Sequence, residues 1–215
     1  MSDGPKLALV HSGSGAAREG YYELVHRYDF VPVPDAEVIV ALGGDGFMLH
    51  TLHEHLGRDV TVFGMNRGTI GFLMNAYGTD GLVERVRTAT EERIAPLRAR
   101  VTTTDGRVEE LLAINEVSLI RASVQAANLQ ISVNDVERLE RVICDGLLCA
   151  TPAGSTAYNL SARGPVVPLG ARLMTLTPVS PFRPRRWHGA LLPHDARVRI
   201  DVLDATKRPV TAGAD

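Results

Sequence analysis

Residues 37 to 50 read Glu-Val-Ile-Val-Ala-Leu-Gly-Gly-Asp-Gly-Phe-Met-Leu-His, an apolar strand that runs straight into Gly43-Gly44-Asp45-Gly46 and then into a helical pattern. Glycines let the backbone bend tightly and let a ligand come close to the main chain. The helix that follows offers unpaired N–H groups and a positive dipole end to an anion such as a phosphate. Asp45 puts a carboxylate where a hydroxyl lying beside that phosphate would be. The alternative for these four residues is a tight strand-to-helix turn with Asp45 as the helix cap.

Three further patches carry side chains suited to a sugar or a flat ring. Gly64-Met65-Asn66-Arg67-Gly68-Thr69-Ile70-Gly71-Phe72-Leu73 could form a backbone wall against a flat ligand, with Phe72 packing on it, or an irregular loop needing positive φ. Asn115-Glu116 interrupts the apolar run Leu111 to Ile120, which is costly unless both side chains are hydrogen-bonded. Sugar hydroxyls would satisfy them, and so would water at a strand end. Asp145-Gly146 is followed by Thr151-Pro152-Ala153-Gly154-Ser155-Thr156-Ala157-Tyr158-Asn159-Leu160-Ser161, a loop entering a helix with hydroxyls and N–H groups presented together. Tyr158 adds a ring for stacking; simple helix capping is the other reading.

The elements that must position these patches follow from periodicity. Leu7 to Val10, Val38 to Leu42 and Val60 to Phe63 read as buried strands. Between them lie helices with Tyr21, Leu24, Val25 and Tyr28 on one face, then Leu49, Leu52 and Leu56, and after them a helix from Thr79 or Asp80 with Leu82, Val83 and Val86 inward. A β-α-β-α-β order predicts an α/β N-terminal domain with a parallel sheet, whose ligands bind beyond the carboxyl ends of the strands. After Pro96 the texture turns to hairpins: Leu97–Thr104 with Val108–Ile120 around Asp105-Gly106, and Leu129–Val133 with Val136–Ile143 around Asn134-Asp135. Val198, Ile200 and Val202 then alternate with charged residues as in a half-buried strand. The expected organisation is an α/β domain over 1–97 and a β-rich, β-sandwich-like domain over 98–215.

A formal net charge of −2 supplies no electrostatic footprint for nucleic acid or an anionic membrane, so neither is expected as a partner. The longest apolar runs fall short of the ~18 residues of a membrane span, and the N-terminus lacks the apolar core of a secretion signal. Cys144 and Cys149 have neither disulfide-framework nor zinc spacing and read as reduced packing residues. The cytoplasm is the expected compartment.

Taken together and in order, Gly43-Gly44-Asp45-Gly46, Asn66 to Leu73, Asn115-Glu116, and Asp145-Gly146 to Ser161 resemble the successive signatures of the bacterial NAD kinases over roughly residues 37 to 165. The Gly-Gly-Asp-Gly turn is shared with diacylglycerol and sphingosine kinases and with phosphofructokinases; the Thr-Pro-Ala-Gly-Ser-Thr-Ala-Tyr loop is far more specific. The resemblance implies transfer of a phosphoryl group from ATP or polyphosphate to the 2′-hydroxyl of the adenosine ribose of NAD, with Mg²⁺ or another divalent cation. It implies Asp45 as the catalytic residue, and Gly44 and Gly46 with the cation at the donor phosphates. His50 would stand near phosphate and Phe72 against the ligand. Asn115 and Glu116 would bind ribose hydroxyls, and Asp145 the other end of NAD. Ala153, Thr156, Ala157, Tyr158, Asn159, Leu160 and Ser161 would line the dinucleotide site, in a homodimer or homotetramer. A carboxylate is a feeble base at neutral pH, which suits a loose phosphoryl-transfer transition state in which the nucleophile is mainly oriented. Family members usually continue for tens of residues beyond the strand that ends near Val210 to Asp215, and this sequence stops short of that tail. An NAD-binding sensor without turnover and a lipid kinase are the alternative functions.

Other groupings lead nowhere chemical. His53 and His55 point apart on a helix and make no zinc site with His50. Arg18 occupies the third glycine position after Gly13 and Gly15, so no dinucleotide fingerprint is present. Arg183, Arg185 and Arg186 could reach ATP phosphates or form a solvated loop. Ser12 and Ser14 lack the partners of a nucleophile.

Overall fold

Three parallel strands, Leu7–His11 (β1), Val38–Gly43 (β2) and Thr61–Asn66 (β3), lie side by side in that order at the start of the chain. The structure, a computed structural model, describes residues 4–68 and 71–215; Met1 to Asp3 of the N-terminal reading and Thr69-Ile70 of the glycine-rich passage lie outside the described residues. The chain divides into two units that meet between Glu91 and Glu92.

In the first unit β2 is central, and Ile39, Val40, Ala41 and Leu42 are fully buried, as expected for a strand covered on both faces. Val40 and Leu42 pack with Ala17, Leu24, Phe63 and Leu82 on one face, while Ile39 packs with Ala8 and Ala36 on the other. Helix α1 (Gly15–Val25) begins at Ser14, whose hydroxyl accepts the N–H of Ala17 at 3.2 Å. Its buried stripe is Ala17, Gly20 and Leu24, and Val25 is exposed. Tyr28 lies past the helix end and is anchored by donating its hydroxyl to Thr79 O at 2.7 Å.

Helix α2 (Asp45–Glu54) buries Met48 and Thr51, while Leu49, Leu52 and Leu56 are half-buried. Entry straight off β2 sets the helix phase, bringing Met48 under Gly64, where an added Cβ would meet its sulfur at 3.0 Å. Leu56 lies beyond the helix. Helix α3 (Leu82–Thr88) starts after Gly81, held at φ +62°, and buries Leu82 with Val83 and Val86 packed beside it.

The second unit is β-rich. Leu97–Thr102 (β4) and Val108–Ala113 (β5) form the expected hairpin. The expected continuous strand from Val108 to Ile120 instead breaks at Ile114-Asn115 and resumes as Glu116–Arg121 (β6), in a different sheet. Ala127–Val133 (β7) and Val136–Cys144 (β8) are joined by Asn134 and Asp135, both at positive φ (52° and 63°), the conformation a tight two-residue hairpin turn demands. Gly146–Ala150 (β9), a single helical turn at Tyr158–Ser161 (α4), Leu173–Val179 (β10), Ala190–Pro193 (β11), Val198–Val202 (β12) and Val210–Ala214 (β13) complete the unit.

A five-stranded sheet, β11-β10-β9-β6-β13, faces a three-stranded one, β12-β7-β8. Leu129, Ile131, Val142 and Cys144 of the smaller sheet pack on Leu147 and Leu176 of the larger, which is a sandwich core. Burial pushes the thiols of Cys144 and Cys149 up to about 11.

Candidate functional site

The turn after β2 does not use Asp45 as a cap. The N-cap position belongs to Gly44, and Asp45 is the first helical residue. Its carboxylate accepts the backbone N–H of Phe72 at 2.8 Å and that of Leu73 at 3.2 Å. Residue 71 abuts the carboxylate: an added Cβ there would lie 2.2 Å from Oδ1 of Asp45 and would displace it. Gly44 and Gly46, in contrast, have open space where a side chain would be. Together with the N–H groups at the helix start, which have no intrahelical partner, this leaves an approach to the main chain beside an anchored carboxylate. Asn66 shapes the start of the facing loop by accepting the N–H of Gly68 at 2.8 Å, and Arg67 N donates to Gly43 O at 2.7 Å. Phe72 is 69% exposed, an uncommon position for so large an apolar ring. His50 sits on the outer face of α2, 3.4 Å from Glu54.

In the second unit, the break between β5 and β6 is a scaffolded corner. Thr151 N donates to Asn115 O at 2.8 Å, Thr151 Oγ1 donates to Ile114 O at 2.6 Å, and Gly154 N donates to Thr151 Oγ1 at 3.1 Å. Gly154 lies so close that a Cβ would stand 2.1 Å from Asn115 O. Asn115-Glu116 and the loop from Thr151 are thus one structure.

The N–H groups of the corner go to a residue that sequence reasoning missed. The Asp215 carboxylate accepts from Ile114 N at 2.5 Å, Asn115 N at 2.7 Å and Glu116 N at 2.9 Å. Its only sequence signal is an acidic residue closing an apolar strand about a hundred positions away. Glu116 is half-buried, and its Oε2 is buried without a hydrogen-bond partner among the described residues. Burial first, and the Asp215 carboxylate second, push Glu116 up to about 7.

The loop from Thr151 folds as a short 3-10 turn, Gly154–Thr156, and then α4. Ala153 and Ser155 are buried, Thr156 and Ala157 half-buried, and Tyr158, Leu160 and Ser161 exposed. Thr156 Oγ1 donates to Ala153 O at 3.2 Å. Asn159, expected among the lining residues, has its side chain turned into the protein. Nδ2 donates to Ser155 O and Pro165 O, both at 3.0 Å, and Oδ1 accepts from Thr175 at 2.9 Å and Thr177 at 2.7 Å. Those four bonds fill the amide's capacity, so Asn159 braces the loop.

Asp145 lies at the other end of β9 from Thr151 and pairs with Arg121 Nε at 2.7 Å. Arg183 and Arg185 flank the exposed ring of Phe182 at 5.7 and 5.4 Å. Among the described residues, no three His, Cys, Asp or Glu side chains gather as a metal-holding group, and no helix is long and apolar enough to cross a membrane.

Comparison with known proteins adds the following. Residues 114–213 match the family model of the ATP-NAD kinase C-terminal domain. The chain is 57% identical over 210 residues to an NAD kinase of Cereibacter sphaeroides (strain ATCC 17025), covering 98% of this chain and 83% of that one. It is 55% identical to the NAD kinase of Mesorhizobium japonicum, covering 97% and 81%. Among solved structures, yeast NADH kinase complexed with NADH is similar in fold, with a TM-score of 0.83 at 23% identity over 100% of this chain and 76% of that one. An NAD kinase from Archaeoglobus fulgidus in complex with ATP gives a TM-score of 0.76 at 25% identity, covering 98% and 84%.

Proposed function

Because the chain belongs to the NAD kinase family, we propose that it phosphorylates NAD, passing a phosphoryl group from ATP or polyphosphate to the 2′-hydroxyl of the adenosine ribose to give NADP. One observation carries the chemistry. Asp45 is the first residue of α2, and its carboxylate is held by two backbone N–H groups beside the open faces of Gly44 and Gly46. An immobilised carboxylate orients the attacking hydroxyl and takes its proton late, which is what a loose phosphoryl transfer needs. The helix start favours the donor's phosphate charge.

Asn115 and Glu116 take ribose hydroxyls in this reading. The buried, unpaired Oε2 of Glu116 is an acceptor that a hydroxyl would satisfy. Tyr158 stacks on a ring, Phe72 packs on the ligand, and Ala153, Thr156, Ala157, Leu160 and Ser161 shape the dinucleotide pocket, with Asn159 bracing them. Asp145 meets the far end of NAD, and His50 lies toward the donor phosphates. A divalent cation such as Mg²⁺, bound with the nucleotide, would neutralise phosphate charge, and Asp45 would be the side chain to hold it. Such an ion keeps several waters and needs only one or two carboxylates besides the phosphates, a demand that Asp45 fits. Domains over 1–97 and 98–215, a cytoplasmic location and a homodimer or homotetramer belong to the same reading. A lipid kinase rests on the Gly-Gly-Asp-Gly turn alone and is not favoured.

The test is NADP formation from NAD with ATP and, separately, polyphosphate. Asp45→Asn should lower kcat about 10²- to 10⁴-fold while calorimetric NAD binding persists. Binding without product in the parent protein would make the chain a sensor instead.

A further inference from the structure

The corner at residues 114–116 is held by one side chain that takes no part in the reading above. Strand β13 runs antiparallel to β6 with Ala214 opposite Val117, so Asp215 arrives beside Glu116, and its own N–H donates to Glu116 O at 3.1 Å. From there its carboxylate collects three consecutive N–H groups, and successive N–H groups turned to one side form a concavity that binds an anion. The carbonyls of Ile114 and Asn115 are taken by Thr151. The main-chain donors of the corner therefore all go to Asp215, and those two acceptors to Thr151. What remains of the corner's polar groups is the pair of side chains, Asn115 and Glu116, with Glu116 Oε2 unpartnered among the described residues. A strand broken between two sheets has no ladder to hold it in register at the break; here a carboxylate replaces the ladder.

We propose that Asp215 is a positioning residue for the acceptor nucleotide: by gripping the N–H groups of Ile114, Asn115 and Glu116 it sets the two side chains in the orientation that receives ribose hydroxyls. This rests on the reading of Asn115 and Glu116 as ribose ligands. Asp215 acts through them and touches no reacting atom. Hydrogen bonds to a carboxylate are the strong kind, and the three share one anchor, so removing it frees all three N–H groups at once while Thr151 still holds the two carbonyls.

The experiment uses NAD as the probe, with Asp215→Ala, Asp215→Asn and Asn115→Ala singly and Asp215→Ala/Asn115→Ala combined. Asp215→Ala should weaken NAD binding about tenfold or more and raise the KM for NAD while leaving the KM for ATP unchanged. Asp215→Asn keeps one acceptor oxygen and should recover part of that loss. The double variant should lose clearly less than the product of the two single losses, since the part of the Asp215 effect that passes through Asn115 is already gone and only the part through Glu116 remains.

Losses that multiply in the double variant, or an unchanged NAD affinity in Asp215→Ala, would overturn the proposal. Amide hydrogen exchange at residues 114–116 gives a second reading that needs no ligand: it should quicken in Asp215→Ala and slow again toward the parent in Asp215→Asn. Exchange left unchanged would equally overturn the clamp. Absence of NAD binding in the parent protein would remove the ribose reading instead, with exchange still deciding what Asp215 does.

Discussion

The Cβ that residue 71 lacks would lie 2.2 Å from Oδ1 of Asp45. The glycine and the carboxylate are therefore fitted to each other, and the N–H groups of Phe72 and Leu73 keep the carboxylate in place. Gly71→Ala should push the carboxylate out of that seat. Misplacing a reacting group by about 1 Å costs on the order of a hundredfold in rate, so kcat should fall by that order with little change in melting temperature. Steady-state kinetics of NADP formation beside a thermal melt would check both halves.

Glu116 makes stability depend on pH with a definite sign. Its folded pKa is raised, by burial first and by the Asp215 charge second, from the ordinary glutamate value to about 7. A carboxylate raised on folding costs nothing below its unfolded pKa, and the folded state loses stability as pH climbs from there through about 7. Glu116→Gln should therefore melt higher than the parent at pH 8 and level with it near pH 4. Paired melts across that range would read the difference; a gain confined to acid pH would contradict the assignment.

Asn159 braces the Thr151–Ser161 loop through four hydrogen bonds. Asn159→Ala leaves two hydroxyls and two carbonyls unpaired in a buried place. Each orphaned group costs about 1–3 kcal/mol, and partial relaxation brings the expected sum to about 3–4 kcal/mol. Denaturant unfolding would measure it. NAD affinity should fall in the same variant, because Tyr158 and Ser161 ride on the loop.

The two cysteines should be chemically quiet. Thiols raised to about 11 carry roughly a hundredfold less thiolate at pH 8 than ordinary ones, and thiolate is the reactive form. Ellman's reagent should titrate almost nothing in the native protein and two thiols in denaturant.

What could be read beforehand divides along physical lines. The parallel sheet was legible because β1, β2 and β3 are continuous apolar runs, and the hairpins because Asp105-Gly106 and Asn134-Asp135 are turn residues flanked by alternating strands. Those signals are local. The inner face of α2 could not be read from its leucines, because its phase follows from its entry off β2. The strand break at Ile114-Asn115 was missed because β6 finds its neighbours, β9 and β13, far along the chain. Asp215 and Asn159 have the same cause: their partners are distant in sequence, so composition around them says nothing about whom they bind. The motifs at Asp45, Asn115-Glu116 and Thr151–Ser161 stood out because glycine and polar residues interrupt apolar runs there.

Strand β9 has one more implication, because it is a ruler. Its five residues separate Asp145 from Thr151, which at ~3.3 Å per residue puts roughly 20 Å between the salt-bridged acid at one end and the start of the Thr151–Ser161 loop at the other. No single ring can report on both marks. On the proposed reading, substitutions at Asp145 should weaken a two-headed dinucleotide and spare an adenosine mononucleotide, so length as well as chemistry would select the ligand.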